Sequence, residues 1–231
     1  MEYLSQWRHS YGLDQPMLFE GTRCAESCKT HGPRCAVDEA EFKSGTHMLH
    51  CRSAKPLARH NRGLRAVLKP MYVAMGYDFN ENLVHCHVNS GKRVDARCTN
   101  SAVSHRAEAL DITIGCPMAD TYLTAAAEDD RHATTAALEK GKHAKHAAAA
   151  AAAGLQYVTC ALTTLGGWGE EFLKRHVRPE YARRRKAEKA EGGLGWKTQA
   201  WKQRLFEDMN ISIARSNYLM LSERTLPFGA R

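Results

Sequence analysis

Apolar and polar residues alternate along the chain in patterns that predict helices and strands from residue 56 onward. Apolar residues between Leu57 and Leu68 recur at intervals of three, four and seven. These intervals place them on one face of a helix, which we expect Pro70 to end. Residues 71–89 follow in short apolar runs that are compatible with strands.

Two longer strands are predicted on either side of an alanine-rich segment. Residues 107–114 alternate small or apolar side chains with polar ones, and residues 155–162 form an apolar run typical of a buried strand. Residues 119–153 between them are rich in alanine, glutamate and lysine and include seven consecutive alanines. This composition predicts one long helix or two short ones.

Further helices are predicted after the glycine-rich stretch at residues 166–169. Residues 174–189 are helical in pattern, residues 192–195 include three glycines that form a hinge, and residues 196–221 are amphipathic. The order of elements predicts an α/β or α+β fold rather than a helical bundle. We divide the chain into an N-terminal extension (1–23), a cysteine- and histidine-rich module (24–55), an α/β domain (56–170) and a basic helical tail (171–231).

The charge of the chain favours a polyanionic partner. Its 231 residues include 33 lysines and arginines against 25 acids, which gives a net charge of +8 and a pI near 9.1. The longest apolar stretch, residues 147–155, is too short to span a bilayer, and the N-terminus lacks a signal-peptide pattern. We therefore predict an intracellular protein with no membrane segment, and the sequence leaves its oligomeric state open.

The module at residues 24–55 offers ligands for a structural zinc ion. Cys24 and Cys28 are separated by three residues, as are His47 and Cys51, so that three thiolates and one imidazole complete a tetrahedral shell. Cys35 is a spare donor that can replace Cys24 or Cys28. The alternative is that these cysteines are free thiols in a loop.

Two aspartates on neighbouring predicted strands, Asp95 and Asp111, are candidate ligands for Mg²⁺ or Mn²⁺. Strands of one sheet can bring both carboxylates to one edge, and hard oxygen ligands suit these cations. Lys142 and Lys145 on the following helix can bring an ammonium group to a scissile phosphate. Carboxylates and a lysine on this frame favour metal-assisted phosphodiester hydrolysis, although two surface aspartates would produce the same pattern.

A basic run on a predicted helix is a candidate contact for nucleic-acid phosphates. It comprises Arg183, Arg184, Arg185 and Lys186, within a segment of eight basic and two acidic residues. Such contacts add salt-sensitive affinity without reading sequence. The run also fits a nuclear localisation signal, or simply a solvated helix face. We expect the tryptophans after residue 160 to pack in the core rather than to serve as stacking platforms for bases, and assign none of them to a site.

The order of these motifs resembles the C-terminal region of site-specific retrotransposons that lack long terminal repeats. The resemblance covers residues 22–170 and rests on the following segments: the Cys/His module, Arg59-His60-Asn61, Arg93-Val94-Asp95, Leu110 to Ile114, and Glu139 to His146. It implies a zinc knuckle followed by a restriction-endonuclease-like α/β domain of the PD-(D/E)XK class, with a mixed sheet flanked by helices. In that class of element the catalytic lysine lies on the helix after the second acid. DNA, and RNA of the parent element, would be the partners, and the nucleus the location.

Individual positions follow from that resemblance. Asp95 matches the acid of the family's Lys/Arg-Pro-Asp motif, and Asp111 matches the acid of its Asp-Val-Thr motif, so both would bind the catalytic metal. Lys145 matches the lysine of the family's Lys-Tyr pair and is our first choice for the catalytic lysine, with Lys142 one turn earlier. Arg59 and His60 match the Arg-His-Asn helix that approaches the active site or the DNA backbone.

The sequence departs from the family pattern at several positions, which keeps other hypotheses about its function open. Val94 replaces the motif's proline, Thr113 occupies the position where many such nucleases have lysine, and His146 replaces the tyrosine. The 23 residues before Cys24 are too few for the reverse transcriptase that precedes this region in the family, so we expect a fragment or a stand-alone derivative. The alternatives are a catalytically decayed DNA- or RNA-binding zinc protein, and a small zinc protein with no nucleic-acid role.

Overall fold

The computed structural model describes residues 56–82, 87–89, 91–100, 107–117, 119, 122 and 132–225. Residues 57–216 form one compact unit. The predicted N-terminal extension and zinc module lie outside the described residues, together with the four proposed zinc ligands, Cys24, Cys28, His47 and Cys51. The structure therefore bears on the predicted α/β domain and on most of the predicted basic tail.

A four-stranded mixed sheet lies at the centre of this unit. The described part of the chain contains these strands: β1 (Asp78–Asn80), β2 (His87–Asn89), β3 (Lys92–Arg93), β4 (Ala96–Thr99), β5 (Glu108–Gly115) and β6 (Gln156–Thr163). The central sheet has the order β1-β4-β5-β6, while β2 and β3 form a separate antiparallel pair. The first three strands of the central sheet run antiparallel, and β6 runs parallel to β5. The two long predicted strands are confirmed, and the mixed α/β class with them.

Helices precede, interrupt and follow the sheet. They are α1 (Pro56–Gly63), α2 (Lys69–Ala74), α3 (Ala133–Ala152), α4 (Glu170–Phe172), α5 (Arg178–Ala190) and α6 (Trp196–Thr225). The crossover from β5 to the parallel strand β6 includes α3, as expected for a connection between parallel neighbours.

Two π-helical turns carry the chain through prolines, and the first of them corrects a prediction. The helical segment that begins with α1 does not end at Pro70, because the π-helical turn Leu64–Leu68 joins α1 to α2, which contains Pro70. The amide of Lys69 donates to the carbonyl of Leu64, five residues back. The second π-helical turn, Leu173–Val177, likewise ends two residues before a proline, Pro179. A wider turn placed before the proline relieves the clash and the missing donor that would otherwise break the helix.

One face of the sheet packs on the helices from both ends of the unit. The alternation of β5 and β6 directs Leu110, Ile112 and Val158 to this face. The same core receives side chains from the helices: Leu64, Val67, Leu68, Met71 and Tyr72 from α1 to α2, and Phe172, Val177, Leu205, Met209 and Ile213 from α4 to α6. The predicted boundary after residue 170 is therefore wrong, since the helices after it cover the same sheet.

The alanine-rich helix α3 covers the other face. Ala149 and Ala150 are buried in a second cluster with Ala109 and Tyr157, whose side chains point away from the main core. Methyl groups on both sides allow the helix axis to approach the sheet closely. The alanine run is therefore a packed helix, and the same approach brings the polar residues one and two turns earlier in α3 close to β5 and β6.

A carboxylate from α5 caps the start of α6. Glu188 is buried and accepts hydrogen bonds from the backbone amides of Lys197 (3.1 Å) and Thr198 (2.9 Å) and from the Thr198 hydroxyl (2.7 Å). The amides at a helix start have no partner within the helix, so this acid satisfies them from a neighbouring element. The Thr198 bond and the backbone donors lower the pKa of Glu188 to about 2.

We predict that Glu188→Gln lowers the thermal unfolding midpoint at neutral pH. Because the folded pKa of Glu188 lies below the ordinary 4.5, its stabilisation is complete above pH 4.5 and is lost as the pH falls towards 2. The difference in midpoint between wild type and variant should therefore shrink over that range, as measured by circular dichroism. Glu191→Gln, at an exposed position in the next turn, is the matched control and should leave the midpoint unchanged.

Candidate active site at the sheet edge

Asp95 lies where the pairing of β4 with β5 stops. Its amide donates to the carbonyl of Leu110 (2.9 Å), and its Oδ2 accepts a hydrogen bond from the amide of Ile112 (2.7 Å). The carboxylate thus takes the place that the next main-chain acceptor of the ladder would occupy. This arrangement fixes the side chain of Asp95 beside the residue between its two partners, which is Asp111.

Asp111 faces α3 and is nearly enclosed, with 5% of its side chain exposed. The Lys142 ammonium contacts both carboxylate oxygens, at 2.9 and 3.0 Å, and the Tyr157 hydroxyl donates to Oδ2 at 2.7 Å. His146 lies at 3.9 Å from Oδ2 and stacks on the ring of Tyr157. A buried charge requires such partners, because an isolated carboxylate is strongly disfavoured away from water.

His60 approaches from α1, on the side of the sheet opposite α3. Its Nε2 lies 2.9 Å from Oδ2 of Asp95, and its Nδ1 lies 3.1 Å from the side-chain oxygen of Asn61. With an oxygen acceptor at each ring nitrogen, the imidazole is best satisfied when both nitrogens carry protons. Two of the predicted residues, Asp95 and His60, therefore form one charged pair.

The pKa values of the two aspartates are shifted in opposite directions. Burial and the neighbouring charge of Asp95 raise the pKa of Asp111 to about 6, despite the opposing charge of Lys142. Burial by itself would raise the pKa of Asp95, but the hydrogen bond and charge of His60 outweigh it and lower that pKa. For His60, burial acts to lower the pKa, and the bond and charge of Asp95 raise it overall. Such divergence between adjacent carboxyls is characteristic of functional sites.

The lysine that contacts Asp111 is Lys142, whereas our first choice on the sequence was Lys145. Lys145 is exposed, and its carbonyl accepts a hydrogen bond from the Lys92 ammonium (2.7 Å). Positions 142 and 146 lie one helical turn apart and share the face towards the sheet, while position 145 lies to the side. Lys145 still acts at a distance: burial first, and then the charges of Lys142 and Lys145, lower the pKa of His146.

A second polar cluster lies next to this site and was not predicted from the sequence. Nε2 of His143 lies 2.7 Å from Oε2 of Glu171, an oxygen that also accepts the amide of Thr159 (3.3 Å). The amide of Glu171 in turn donates to Glu139 (3.0 Å), whose pKa is raised by burial. The ring of His143 packs edge-on against Tyr157, which joins this cluster to Asp111. The spacing of positions 139 and 143 on α3 was the available signal, but nothing in the pattern indicated Glu171.

The structure corrects one predicted nucleic-acid contact. Arg59 is buried, with 3% of its surface exposed, and burial lowers its pKa to about 10. A side chain enclosed in this way is not positioned to contact a DNA backbone. It lies on the inner face of α1, so only His60 of the predicted pair reaches the site.

The predicted basic run on α5 is largely engaged within the protein. Arg183 and Arg184 both bond to Glu180, and the guanidinium of Arg184 also lies 4.7 Å above the ring of Trp201. Arg185 donates to the carbonyl of Leu194, while Lys186 is exposed. The run therefore stabilises α5 and its junction with α6, in addition to any contact with phosphates.

The donor set at the sheet edge fits a hard divalent cation. Asp95 and Asp111 present adjacent carboxylate oxygens, the ligands that Mg²⁺ and Mn²⁺ prefer, and positive charge is already drawn to them from Lys142 and His60. Among the described residues, no three or more histidine, cysteine, aspartate or glutamate side chains are grouped to hold a metal ion. Protein ligands at this edge would thus be the two aspartates, with water and phosphate oxygens completing the shell.

Comparison with known proteins identifies no relative. A scan against protein-family models and searches of curated proteins and of solved structures found no match to this chain. Within the part of the chain that the structure describes, no helix is both long and apolar enough to cross a membrane.

We predict that Asp111→Asn becomes progressively more stable than wild type as the pH rises. The folded pKa of Asp111, about 6, exceeds its ordinary 3.8, so the protonated form favours folding below pH 3.8 and this advantage is lost as the pH rises through 6. Asparagine avoids that loss, which amounts to roughly 2 to 3 kcal/mol between pH 4 and pH 8.

Urea unfolding of both proteins at pH 4, 6 and 8 measures this effect. Asp208→Asn, at an exposed position on α6, is the control and should show no such trend. A stability difference between wild type and Asp111→Asn that does not change with pH would contradict the assignment of a raised pKa to Asp111.

Proposed function

We propose that this protein is a metal-dependent endonuclease that nicks or cleaves double-stranded DNA. One observation carries the proposal: two adjacent carboxylates, Asp95 and Asp111, lie at a sheet edge with the ammonium of Lys142 on the second of them. Acid, acid and lysine at one edge form the set needed for phosphodiester hydrolysis with Mg²⁺ or Mn²⁺. These are also the residue types that a PD-(D/E)XK nuclease requires.

Each side chain has a distinct part in the proposed reaction. Asp95 and Asp111 would hold the cation, which when bound polarises the phosphoryl oxygens and lowers the pKa of water. The ammonium of Lys142 would stabilise the negative charge that develops on the phosphate. His60 and the amide of Ile112 fix the orientation of Asp95, and the Tyr157 hydroxyl fixes that of Asp111.

The resemblance to site-specific retrotransposons without long terminal repeats gives this proposal its more specific form. In that family the catalytic lysine lies on the helix after the second acid, and Lys142 on α3 occupies such a position relative to Asp111 on β5. The mixed sheet with helices on both faces is also consistent with a restriction-endonuclease-like domain. We therefore propose an origin in such an element, with nuclear DNA as substrate and RNA of the parent element as a second partner.

We predict that Lys142→Met and Asp111→Asn each reduce nicking of supercoiled plasmid by at least about 100-fold. Lys142 supplies the positive charge that acts on the reacting phosphate, and Asp111 supplies a ligand of the catalytic metal. The assay uses the purified full chain with Mn²⁺ and a parallel reaction in EDTA. Lys140→Met is the matched control, since Lys140 is exposed on the same helix and points away from the sheet. It should retain the wild-type rate.

Two results would overturn the nuclease. Nicking that persists in Asp111→Asn would indicate a contaminating enzyme. No nicking by the wild-type protein, together with salt-sensitive retention of plasmid in a gel shift, would favour the catalytically decayed DNA- or RNA-binding protein. The departures at Val94 and Thr113 are the specific observations that favour this second candidate.

We further propose that the N-terminal module binds one structural zinc ion through Cys24, Cys28, His47 and Cys51. Metal analysis of the purified chain should give one zinc per polypeptide, and the double variant His47→Ala/Cys51→Ser should lose it, because two of four ligands are removed. Cys35→Ser should retain zinc if Cys35 is only a spare donor. Loss of zinc in Cys35→Ser, with zinc retained in Cys24→Ser, would instead show that Cys35 and not Cys24 is a zinc ligand.

A further inference from the structure

The turn between α5 and α6 presents two large apolar side chains to solvent. Leu194 is 78% exposed and Trp196 is 73% exposed, which makes them the most exposed large apolar residues in the described part of the chain. Trp168, by contrast, is buried, and Trp201 packs against the core as expected. The prediction that the tryptophans pack in the core is therefore wrong for Trp196.

This turn is held in place by side chains from α5. Arg185 donates to the carbonyl of Leu194 (2.9 Å), and the amide of Gly193 donates to the carbonyl of Glu188 (2.8 Å). The carboxylate of Glu188 holds the first amides of α6. Gly195 has a φ of +88°, and a Cβ at this position would meet the guanidinium of Arg185. The apolar pair is thus projected by a fixed turn, so little conformational entropy is lost when it binds a partner.

The surroundings of the exposed pair are cationic. Lys186 and Lys189 on the last turns of α5 and Lys197 at the start of α6 are all exposed, and Glu191 is the exposed acid between them. Cations beside an exposed indole suit a nucleic-acid strand, in which phosphates alternate with flat bases. A membrane surface fits less well, because α5 presents no broad apolar face that could enter a bilayer.

We propose that the turn Leu194–Trp196 binds an unpaired nucleic-acid strand, with the indole of Trp196 stacked on a base and Lys186, Lys189 and Lys197 on flanking phosphates. Stacking is sequence-tolerant because every base has an aromatic face. The site is separate from the aspartate pair and does not depend on the proposed hydrolysis. It would give the protein affinity for single-stranded segments even if the nuclease were inactive.

Binding of fluorescently labelled single strands of 15 thymidines or 15 uridines tests this site. The full chain is titrated without added Mg²⁺ or Mn²⁺, so that cleavage does not interfere, and fluorescence anisotropy reports the affinity. We expect Trp196→Ala to weaken binding about 5- to 50-fold, and Trp196→Phe to retain affinity within about 3-fold, because phenylalanine still stacks. Val73→Ala, at another exposed apolar position, is the matched control and should bind as wild type.

Two further measurements separate stacking from charge. On a strand of the same length that lacks bases, wild type and Trp196→Ala should bind equally. The double variant Lys186→Gln/Lys189→Gln should lower the slope of log affinity against log salt by roughly 1 to 1.5, as expected for two lost phosphate contacts. Preference between thymidine and uridine strands shows whether DNA or RNA is the better ligand.

Three results would overturn the proposal. Trp196→Ala could bind both strands as tightly as wild type. It could lose equal affinity for the strand without bases, which would mean that the substitution disturbs the fold or the charges. In a parallel assay with vesicles of phosphatidylserine and phosphatidylcholine, Trp196→Ala could lose vesicle binding while its strand binding is unchanged. That result would make the turn a membrane contact. Failure of the plasmid assay alone, with this binding intact, would affect the nuclease and not this site.

Discussion

The packing of two carboxylates side by side, one buried and one half-buried, is the constraint on which the rest of this structure depends. Asp95 reaches this position because its side chain replaces a main-chain acceptor at the end of the β4–β5 ladder. Asp111 follows the strand alternation and points the other way, towards α3. Neither charge could remain there alone, so each has a cationic partner from a different side of the sheet: His60 for Asp95 and Lys142 for Asp111.

The composition of α3 follows from the same constraint. Its alanines allow it to lie close over β5 and β6, and only a close helix can bring Lys142 into contact with both oxygens of Asp111. The raised pKa of Asp111 shows that this compensation is incomplete. Keeping Asp111 ionised in this position therefore lowers the stability of the folded chain.

The helices after β6 share the main core and carry the proposed strand-binding turn. Phe172 and Met209 cover the main core, so α5 and the part of α6 up to Ser216 belong to the same compact unit as the aspartate pair. At their junction Arg185 and Glu188 stabilise a turn that projects Trp196 outward. The proposed hydrolytic site and the proposed stacking residue would together suit a protein that works on nucleic acid with both paired and unpaired segments.

The sequence by itself determined the two long strands, the alanine-rich helix, the basic charge and the two aspartates, because local periodicity and composition encode these features. Only the tertiary structure showed that Lys142, and not Lys145, contacts Asp111 and that the Tyr157 hydroxyl also bonds to it. Only the tertiary structure showed that Arg59 is buried and that Trp196 is exposed. These outcomes depend on how far each helix rotates over the sheet and on contacts between residues distant in sequence. Neither quantity is recorded in the spacing of residues along the chain.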